Sequence, residues 1–365
     1  MKFCAASSRA AWVWLDLSMM QTPDNIIRES VARMLADVVS PKTTLAAEEG
    51  GIDRAAWNQF IAMGLTGADA GALGLSDTAD VLQAIVYAGA LVPFADSEAL
   101  ARWLALGAGI ASESSEILSC LVVPAQAIVH HAGGATAQLK GQLVPWGRHC
   151  SRILLSFGQG ASHHVAIARL SPESLRQQAN LAGEPADVII ADTLALDSVH
   201  EVAAAWGPSA VRQRGALCRS AAMQGAAQHA LELAIRYASD RKQFGKSLSQ
   251  FQMIQSYLAQ MAGELTASGI MLQTCLDAMT HNVSHDGAEV AALKIQAGMA
   301  ARTIASLSHQ IHGAMGFTQE YPLHLWTRRL WAWREEWGNE TEWALELGGL
   351  ASSLGADGVW ERIAG

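Results

Sequence analysis

No run of lysine or arginine breaks the 365-residue chain, no apolar run reaches the ~18 to 20 residues that a membrane span needs, and no two cysteines stand at C-x-x-C spacing. Each absence excludes something. With 34 acidic against 25 basic residues and a formal net charge of -9, there is no basic face from which phosphates could displace counterions, so nucleic acid is not an expected partner. The five cysteines, Cys4, Cys120, Cys150, Cys218 and Cys275, are scattered without zinc-site or disulfide-framework spacing. They read as buried thiols in a reducing compartment, with the cytoplasm as the expected location. His163-His164 and the pair His309 and His312 lack a convergent carboxylate pattern, so no metal centre is expected. Internal repeats and low-complexity segments are also missing. What is left is 50% hydrophobic and only 16% charged: a well-buried globular chain, soluble and long enough for two or three domains.

The first residues, MKFCAASSRAAWVWLDLSMM, imitate a targeting peptide, but Arg9 and Asp16 interrupt the apolar core and no small-residue cleavage site follows. The Met19-Met20 pair stands just ahead of the first helical pattern. Residues 1–21 therefore read as an extra, poorly ordered tail, with the native start at that pair.

From Thr22 to Val39, Ile26, Ile27, Val31, Met34, Leu35 and Val38 recur at three- and four-residue steps after a Thr22-Pro23 helix start. Similar patterns at 53–64, 77–91 and 96–107, separated by glycine-rich breaks, make 22–114 a helical domain. Near 115 the texture changes to short β-branched runs such as SRILLSF and DVIIADTLAL, split by Gly, Pro and polar turns, which makes 115–205 a β domain. At Trp206 the helical period returns, with helices expected at 208–239, 248–281, 285–315 and 322–352 within a C-terminal helical region, 206–365.

Two long phrases carry chemistry. YASDRKQFGKSLSQFQMIQSYLAQM, residues 237–261, resembles the R-x-x-F-G...FQ...L..M stretch of the acyl-CoA dehydrogenase family. QIHGAMGFTQEYP, residues 310–322, is similar to that family's Q-I-x-G-x-x-G-F-x-x-E-Y-P segment, at the expected distance downstream. The stretch at 71–106, GALGLSDTADVLQAIVYAGALVPFADSEALARWLAL, is similar to the N-terminal helical domain, and GQLVPWGRHCSRILLSF to the start of the β domain. The resemblance implies a mostly α fold with a central β domain: an N-terminal helical domain, a middle β-barrel-like domain and a C-terminal four-helix bundle that forms the oligomer core.

It also implies FAD held between the β domain and the bundle, an acyl-CoA thioester as substrate and electron-transferring flavoprotein as electron acceptor. In such chemistry a carboxylate takes the α-proton of the thioester while the flavin accepts the β-hydride. By resemblance Arg241 would pair with the flavin pyrophosphate, a role suited to a permanently charged donor fork. Gln243, Phe244 and Gln252 would hold the dinucleotide of a neighbouring subunit, and Gln310 and Gly313 would meet the adenosine end across a dimer. Tyr321-Pro322 would start the next helix, whose Leu325, Leu330, Trp331 and Trp333 read as bundle packing.

The catalytic base departs from the pattern. In the commonest form it stands seventeen residues after the Glu of E-Y-P and before a Gly; from Glu320 that count reaches Trp337, followed by Gly338. Other members carry it twenty-six residues before the arginine matching Arg241, which here is Gly215. Glu335, Glu336 and Glu340 lie close by, and Glu336 is the candidate if the register shifts by one. On a continuous helix such a shift turns the side chain by roughly 100°. The family's T-E-x-x-x-G-S-D phrase also has no counterpart near 120–135. Some bacterial members are α2β2 heterotetramers, often linked to CoA thioesters of steroid side chains or other bulky acids, in which one subunit carries the base. This chain resembles the base-lacking subunit. Two alternatives stay open: a homotetramer with an unorthodox base, and a non-catalytic scaffold or regulator of the same fold.

Overall fold

The computed structural model describes residues 26–67, 73–280 and 287–364. The expected tail at 1–21, with Cys4, lies outside the described residues.

The N-terminal region is helical. Helix α1, Ile26–Val38, buries Val31 and Leu35, one turn apart on a single face. Helix α2, Pro41–Gly50, was not expected from periodicity, because its ten residues carry little apolar pattern. Local chemistry sets it instead: Pro41 opens it, the Ser40 hydroxyl accepts the Thr43 N–H, and Gly51 closes it at φ 79°. Asp53 caps α3, Arg54–Ala62, and α4 spans Leu75–Ala88. Next comes a π-helix, Phe94–Arg102, which tightens into α5, Trp103–Gly107. Nine residues of i→i+5 helix are unusual, and such segments gather at functional sites. Asp96, Glu98 and Arg102 are buried on this one.

The middle region holds β1, Ile117–Val122; β2, Ile128–His131; β3, Gly134–Ala137; β4, Leu143–Pro145; β5, Cys150–Gln159; β6, Ser162–Arg169; β7, Leu175–Arg176; β8, Ala186–Ile189; and β9, Leu194–Val202. Six strands pair in the order β1-β5-β6-β9-β3-β2 and three in the order β4-β8-β7, so the arrangement is barrel-like without closing. Only the β1–β5 pair among the named ladders runs parallel. Alternation divides β5 between two cores: Ile153, Leu155 and Phe157 face the core shared with the smaller sheet, whereas Leu154 joins Leu100 and Leu104 of the N-terminal region.

The C-terminal region is built on α6, Pro208–Asp240, which packs against α4, α8, α9 and α7. A hairpin, β10 Lys242–Gln243 with β11 Lys246–Ser247, links it to α7, Gln252–Thr280. Helix α8, Ala288–His312, follows, then α9, Leu323–Glu335, and α10, Glu340–Ala364, which breaks at Gly355. The single helix expected over 322–352 is therefore two, interrupted at 336–339. The four described cysteines are buried thiols, as expected. No described helix is long and apolar enough to cross a membrane.

Helix α6 reaches this many neighbours because its contact face is small: Gly215, Ala216, Ala221, Ala222, Gly225 and Ala226 are all buried. A Cβ on Gly225 would collide with the backbone carbonyl oxygen of Gln83 on α4. Alanine there gains about 0.5–1 kcal/mol of helix propensity but costs about 1–3 kcal/mol in overpacking against rigid backbone. Gly225→Ala is expected to lower the thermal midpoint measured by scanning calorimetry; an unchanged or raised midpoint would show that α4 yields freely.

Candidate functional site

The two positions at which the resemblance would place a base, Gly215 and Trp337, come together. Gly215 lies on α6, and a Cβ built on it would run into the Trp337 indole, so the ring occupies the space that glycine leaves open. Trp337 itself is left-handed at φ 61°, an uncommon conformation for a bulky side chain, and Gly338 follows at φ 96°. Several contacts impose this turn. The Lys294 ammonium donates to the carbonyls of Trp333 (3.1 Å) and Arg334 (2.7 Å), capping the end of α9. The Trp343 indole N–H donates to the Trp337 carbonyl at 3.0 Å. Asn339 restarts the helix by accepting the N–H groups of Thr341 and Glu342. Burial pulls the pKa of Lys294 down to about 8, against the opposing pull of Glu340, Glu336 and Glu335.

The break at 336–339 changes the argument about Glu336. The residue is not on a helix; it is extended, at φ -74° and ψ 140°. A rotation of one helical step therefore does not describe where it points. Its side chain keeps 29% of its surface, but its carboxylate is directed inward, with Oε2 accepting from Arg219 Nε at 2.6 Å and Oε1 from Asn180 Nδ2 at 3.2 Å.

Arg219, buried on α6, binds two further carboxylates. Its Nη2 donates to both oxygens of Asp96, at 2.9 and 3.1 Å, and its Nη1 stands 3.8 Å from Glu184. The carboxylates are held from behind: Trp146 donates to Asp96 at 3.0 Å, Trp333 to Glu184 at 2.8 Å, and Asn180 to Glu184 at 3.0 Å. Three carboxylates thus face one nearby guanidinium. Burial raises the pKa of Asp96, helped by repulsion from Glu184 and opposed by Arg219. Burial also raises Glu336, to about 7, with Glu184 and Asp96 adding to the shift and Arg219 opposing it. Burial works against the charge on Arg219, but Asp96, Glu336 and Glu184 more than reverse that and hold it protonated.

The residues expected around a dinucleotide lie at one end of the bundle. Arg241 ends α6, and Phe244 (φ 50°) with Gly245 (φ 79°) forms the two-residue loop of the β10–β11 hairpin, both left-handed as a tight hairpin turn demands. Gln252 begins α7. Gln310 and Gly313 lie at the end of α8, beside the end of α6, because Tyr237 and His312 pack at 4.5 Å between ring centroids. Arg241, Gln243, Gln252 and Gln310 are exposed, and their side chains make no hydrogen bond to described residues. Phe244 is 90% exposed, and Met315 and Phe317 are exposed too. On the β side, residues 120–135 form the end of β1, a 3-10 turn and the β2–β3 hairpin. Among the described residues no His, Cys, Asp and Glu cluster could hold a metal ion.

Sequence reasoning did not single out Arg219, Asp96, Glu184 or Lys294. A weak signal was present: each of Asp96, Arg219 and Lys294 interrupts an otherwise small and apolar stretch, FADSEAL, ALCRSAA and VAALKIQAG.

Residues 212–339 match the family described as acyl-CoA dehydrogenase, C-terminal domain. A glutaryl-CoA dehydrogenase of Desulfococcus multivorans is 38% identical over 99 residues, 27% of this chain; that stretch spans only about a quarter of the relative, 25% of its length. Among solved structures, a steroid ACAD is similar over 93% of this chain and 98% of its own, at 20% identity and a TM-score of 0.76. The ChsE4-ChsE5 complex from Mycobacterium tuberculosis contains a chain similar over 92% of this one and 100% of its own, at 17% identity and a TM-score of 0.79.

The raised Glu336 sets the sign of a pH effect. Between the ordinary carboxylate pKa of 4.5 and about 7, the folded chain holds a proton at Glu336 that the unfolded chain has released. Its contribution to stability is complete below about 4.5 and is lost as pH rises to about 7. Glu336→Gln is expected to flatten the fall in stability across that window, measured by urea unfolding at successive pH values. An identical slope in the variant would assign the titration elsewhere.

Proposed function

We propose, for a chain that belongs to the acyl-CoA dehydrogenase family in its fold and in its bundle sequence, that it is the base-lacking subunit of an FAD-dependent acyl-CoA dehydrogenase-type complex, in which a related second subunit supplies the catalytic Glu. The observation that carries this reading is the Trp337 indole over Gly215. An indole cannot accept an α-proton, and its bulk takes space at the one place where either family base would act.

Glu336 does not replace the base. A carboxylate near pKa 7 suits proton abstraction, but both its oxygens are occupied, by Arg219 and Asn180. Moving it from Arg219 would break a 2.6 Å charge-assisted hydrogen bond inside a buried cluster, a costly exchange.

The dinucleotide edge fits the cofactor better than the ring side does. Among the described residues no carboxylate lies within ion-pairing distance of Arg241, which leaves its guanidinium available to a pyrophosphate. The amides of Gln243, Gln252 and Gln310 offer donors and acceptors, and Gly313, at φ 58° with open space around its α-carbon, permits close backbone approach. The hairpin at 128–137 supplies no counterpart to the family's flavin-ring loop. Bound FAD would supply the hydride acceptor; this chain's residues would bind and orient its outer edge, while Trp337 excludes substrate from its own base position. The exposed Phe244, Met315 and Phe317 would be covered by the partner. Similarity to a steroid ACAD supports a bulky, steroid-like CoA thioester as substrate, similarity to the ChsE4-ChsE5 complex supports a two-subunit assembly, and the family resemblance implies electron-transferring flavoprotein as the acceptor.

The chain purified alone should carry well under one flavin per subunit, and coexpression with its partner should restore it. Full flavin in the isolated chain would reject the shared site. In the complex, Arg241→Ala should weaken flavin retention about ten- to a hundredfold, the loss typical of a charge-assisted bond. Turnover of a CoA thioester with an artificial acceptor should fall about 10²- to 10⁴-fold when the partner's Glu is changed to Gln. It should not fall so with Glu336→Gln; a comparable loss there would make this chain the base carrier.

A further inference from the structure

Residues 237–261 and 310–322, the two stretches that resemble the family's dinucleotide edge, meet at one buried imidazole. His312 is the last residue of α8, 2% exposed, and Gly313 follows it directly. Its Nδ1 lies 2.7 Å from the Ser308 carbonyl oxygen, which can only accept, so that nitrogen carries the proton. Nε2, 3.0 Å from the Tyr321 hydroxyl, is left as the acceptor, and the Tyr321 O–H donates to it. The ring also packs against Tyr237 at 4.5 Å and Tyr321 at 4.7 Å between centroids, and the two tyrosines meet edge to face at 5.8 Å.

Each partner of the imidazole holds a different piece of that edge. The Tyr237 carbonyl accepts the Arg241 N–H at 2.9 Å, where α6 ends and the β10–β11 hairpin begins. Tyr321 stands at the entrance to α9. Between them the turn after α8 folds back over the imidazole, so closely that a Cβ on Gly316 would come 2.9 Å from the His312 Cβ. Ring packing alone would tolerate rotation, whereas two directional hydrogen bonds do not. Burial lowers the pKa of His312, with His309 adding to the fall and the Ser308 and Leu233 carbonyls opposing it. Burial raises the pKa of Tyr321, which keeps its hydroxyl protonated as a donor. The other charged or titratable groups described around the joint are Arg236 and Asp240 of α6, which act on the Tyr321 hydroxyl in opposite senses, and His309 of α8 with His324 of α9. A proton on Nε2 would turn it from acceptor to donor, displace the Tyr321 O–H and place a desolvated cation near His309.

We propose that His312 is a positioning residue of the dinucleotide edge: its neutral imidazole holds the hairpin at Arg241 and the turn at Gly313 in register, and protonating it loosens both. The identity of what that edge binds rests on the shared-site reading; the joint itself does not. Because the folded chain disfavours the proton, the joint is complete above the ordinary histidine pKa of 6.5 and weakens as pH falls below it.

Amide hydrogen exchange of the purified full-length chain, corrected for the intrinsic pH dependence of exchange, tests the joint without flavin. Protection at residues 242–247 and 313–321 should fall together below about pH 6.5, by up to about tenfold per pH unit, the limit for one proton. His312→Gln, whose amide oxygen can still accept from Tyr321 and which does not titrate, should remove that fall. His312→Phe, which keeps a ring but loses both hydrogen bonds, should show the loosened state at about pH 8 already. In the complex with the coexpressed partner, His312→Phe should raise the flavin dissociation constant about tenfold, the effect of losing neutral hydrogen bonds, and His312→Gln should raise it less. A fall in only one of the two segments overturns the proposal, as does an equal fall in a folded His312→Gln, which would assign the titration to His309 or His324. Flat wild-type protection across the range overturns it even if both variants fail to fold. Unchanged flavin affinity in a folded His312→Phe overturns the positioning role. A wild-type complex without flavin would instead reject the shared-site reading, and exchange in the isolated chain would still decide the joint.

Discussion

The guanidinium of Arg219 meets carboxylates from three separate parts of the chain: Asp96 from the N-terminal π-helix, Glu184 from a loop of the β region, and Glu336 from the break between α9 and α10. Apolar contact between these parts is non-directional and would tolerate sliding. A buried ion cluster is not so tolerant, because losing one partner leaves uncompensated charge, a penalty of about 3–5 kcal/mol. The indole donors of Trp146 and Trp333 fix two of the carboxylates in turn. The cluster therefore sets the register in which the three regions meet, and the candidate site is built around it.

Its most direct consequence is the position of Trp337. Gly215 and Arg219 are one turn apart on α6 and so share a face, with side-chain origins about 5–6 Å apart. Residues 336 and 337 are consecutive and address these two positions in turn: Glu336 binds Arg219, and Trp337 covers Gly215. Matching neighbours in sequence to positions one turn apart on a helix requires a backbone that is extended and then sharply reversed. That is the extended Glu336 followed by left-handed Trp337 and Gly338. A left-handed conformation costs a non-glycine residue about 1–3 kcal/mol, well within what the Arg219 pair, the Lys294 cap and the Trp343 hydrogen bond can hold.

This explains which parts of the molecule were legible in the sequence. The helix-β-helix order and most helix limits follow from local period and composition, and the close-packed glycines and alanines of α6 were visible as such. The continuous helix expected over 322–352 failed because Leu323 to Trp343 has helical periodicity throughout. The break is marked locally only by Gly338 and the Asn339 cap, and the contacts that hold it come from Lys294, about forty positions away, and from Arg219 and Asn180, more than a hundred away, which no local pattern records. Helix α2 failed in the opposite sense: its period is weak, but Ser40-Pro41 and Gly51 marked its two ends. No local feature separates the π-helix at 94–102 from an ordinary helix. Gly215 and Trp337 were each identified as places where a base is missing, yet their contact follows only from the fold.

The missing base and the ion cluster also fit each other energetically. Arg219 already faces three carboxylates, and Asp96 and Glu336 are raised first by burial and then by repulsion from their acidic neighbours. An acid at position 337 or 215 would stand one helical turn from this cluster and add a further negative charge to it. Repulsion would raise the pKa of the new acid or strip Glu336 from Arg219. An indole over a glycine introduces no charge, fills the volume and leaves the three-region junction intact. On the proposed reading, the position where the family resemblance would put a base is thus devoted to packing, and the acidic residues nearest to it hold the structure together.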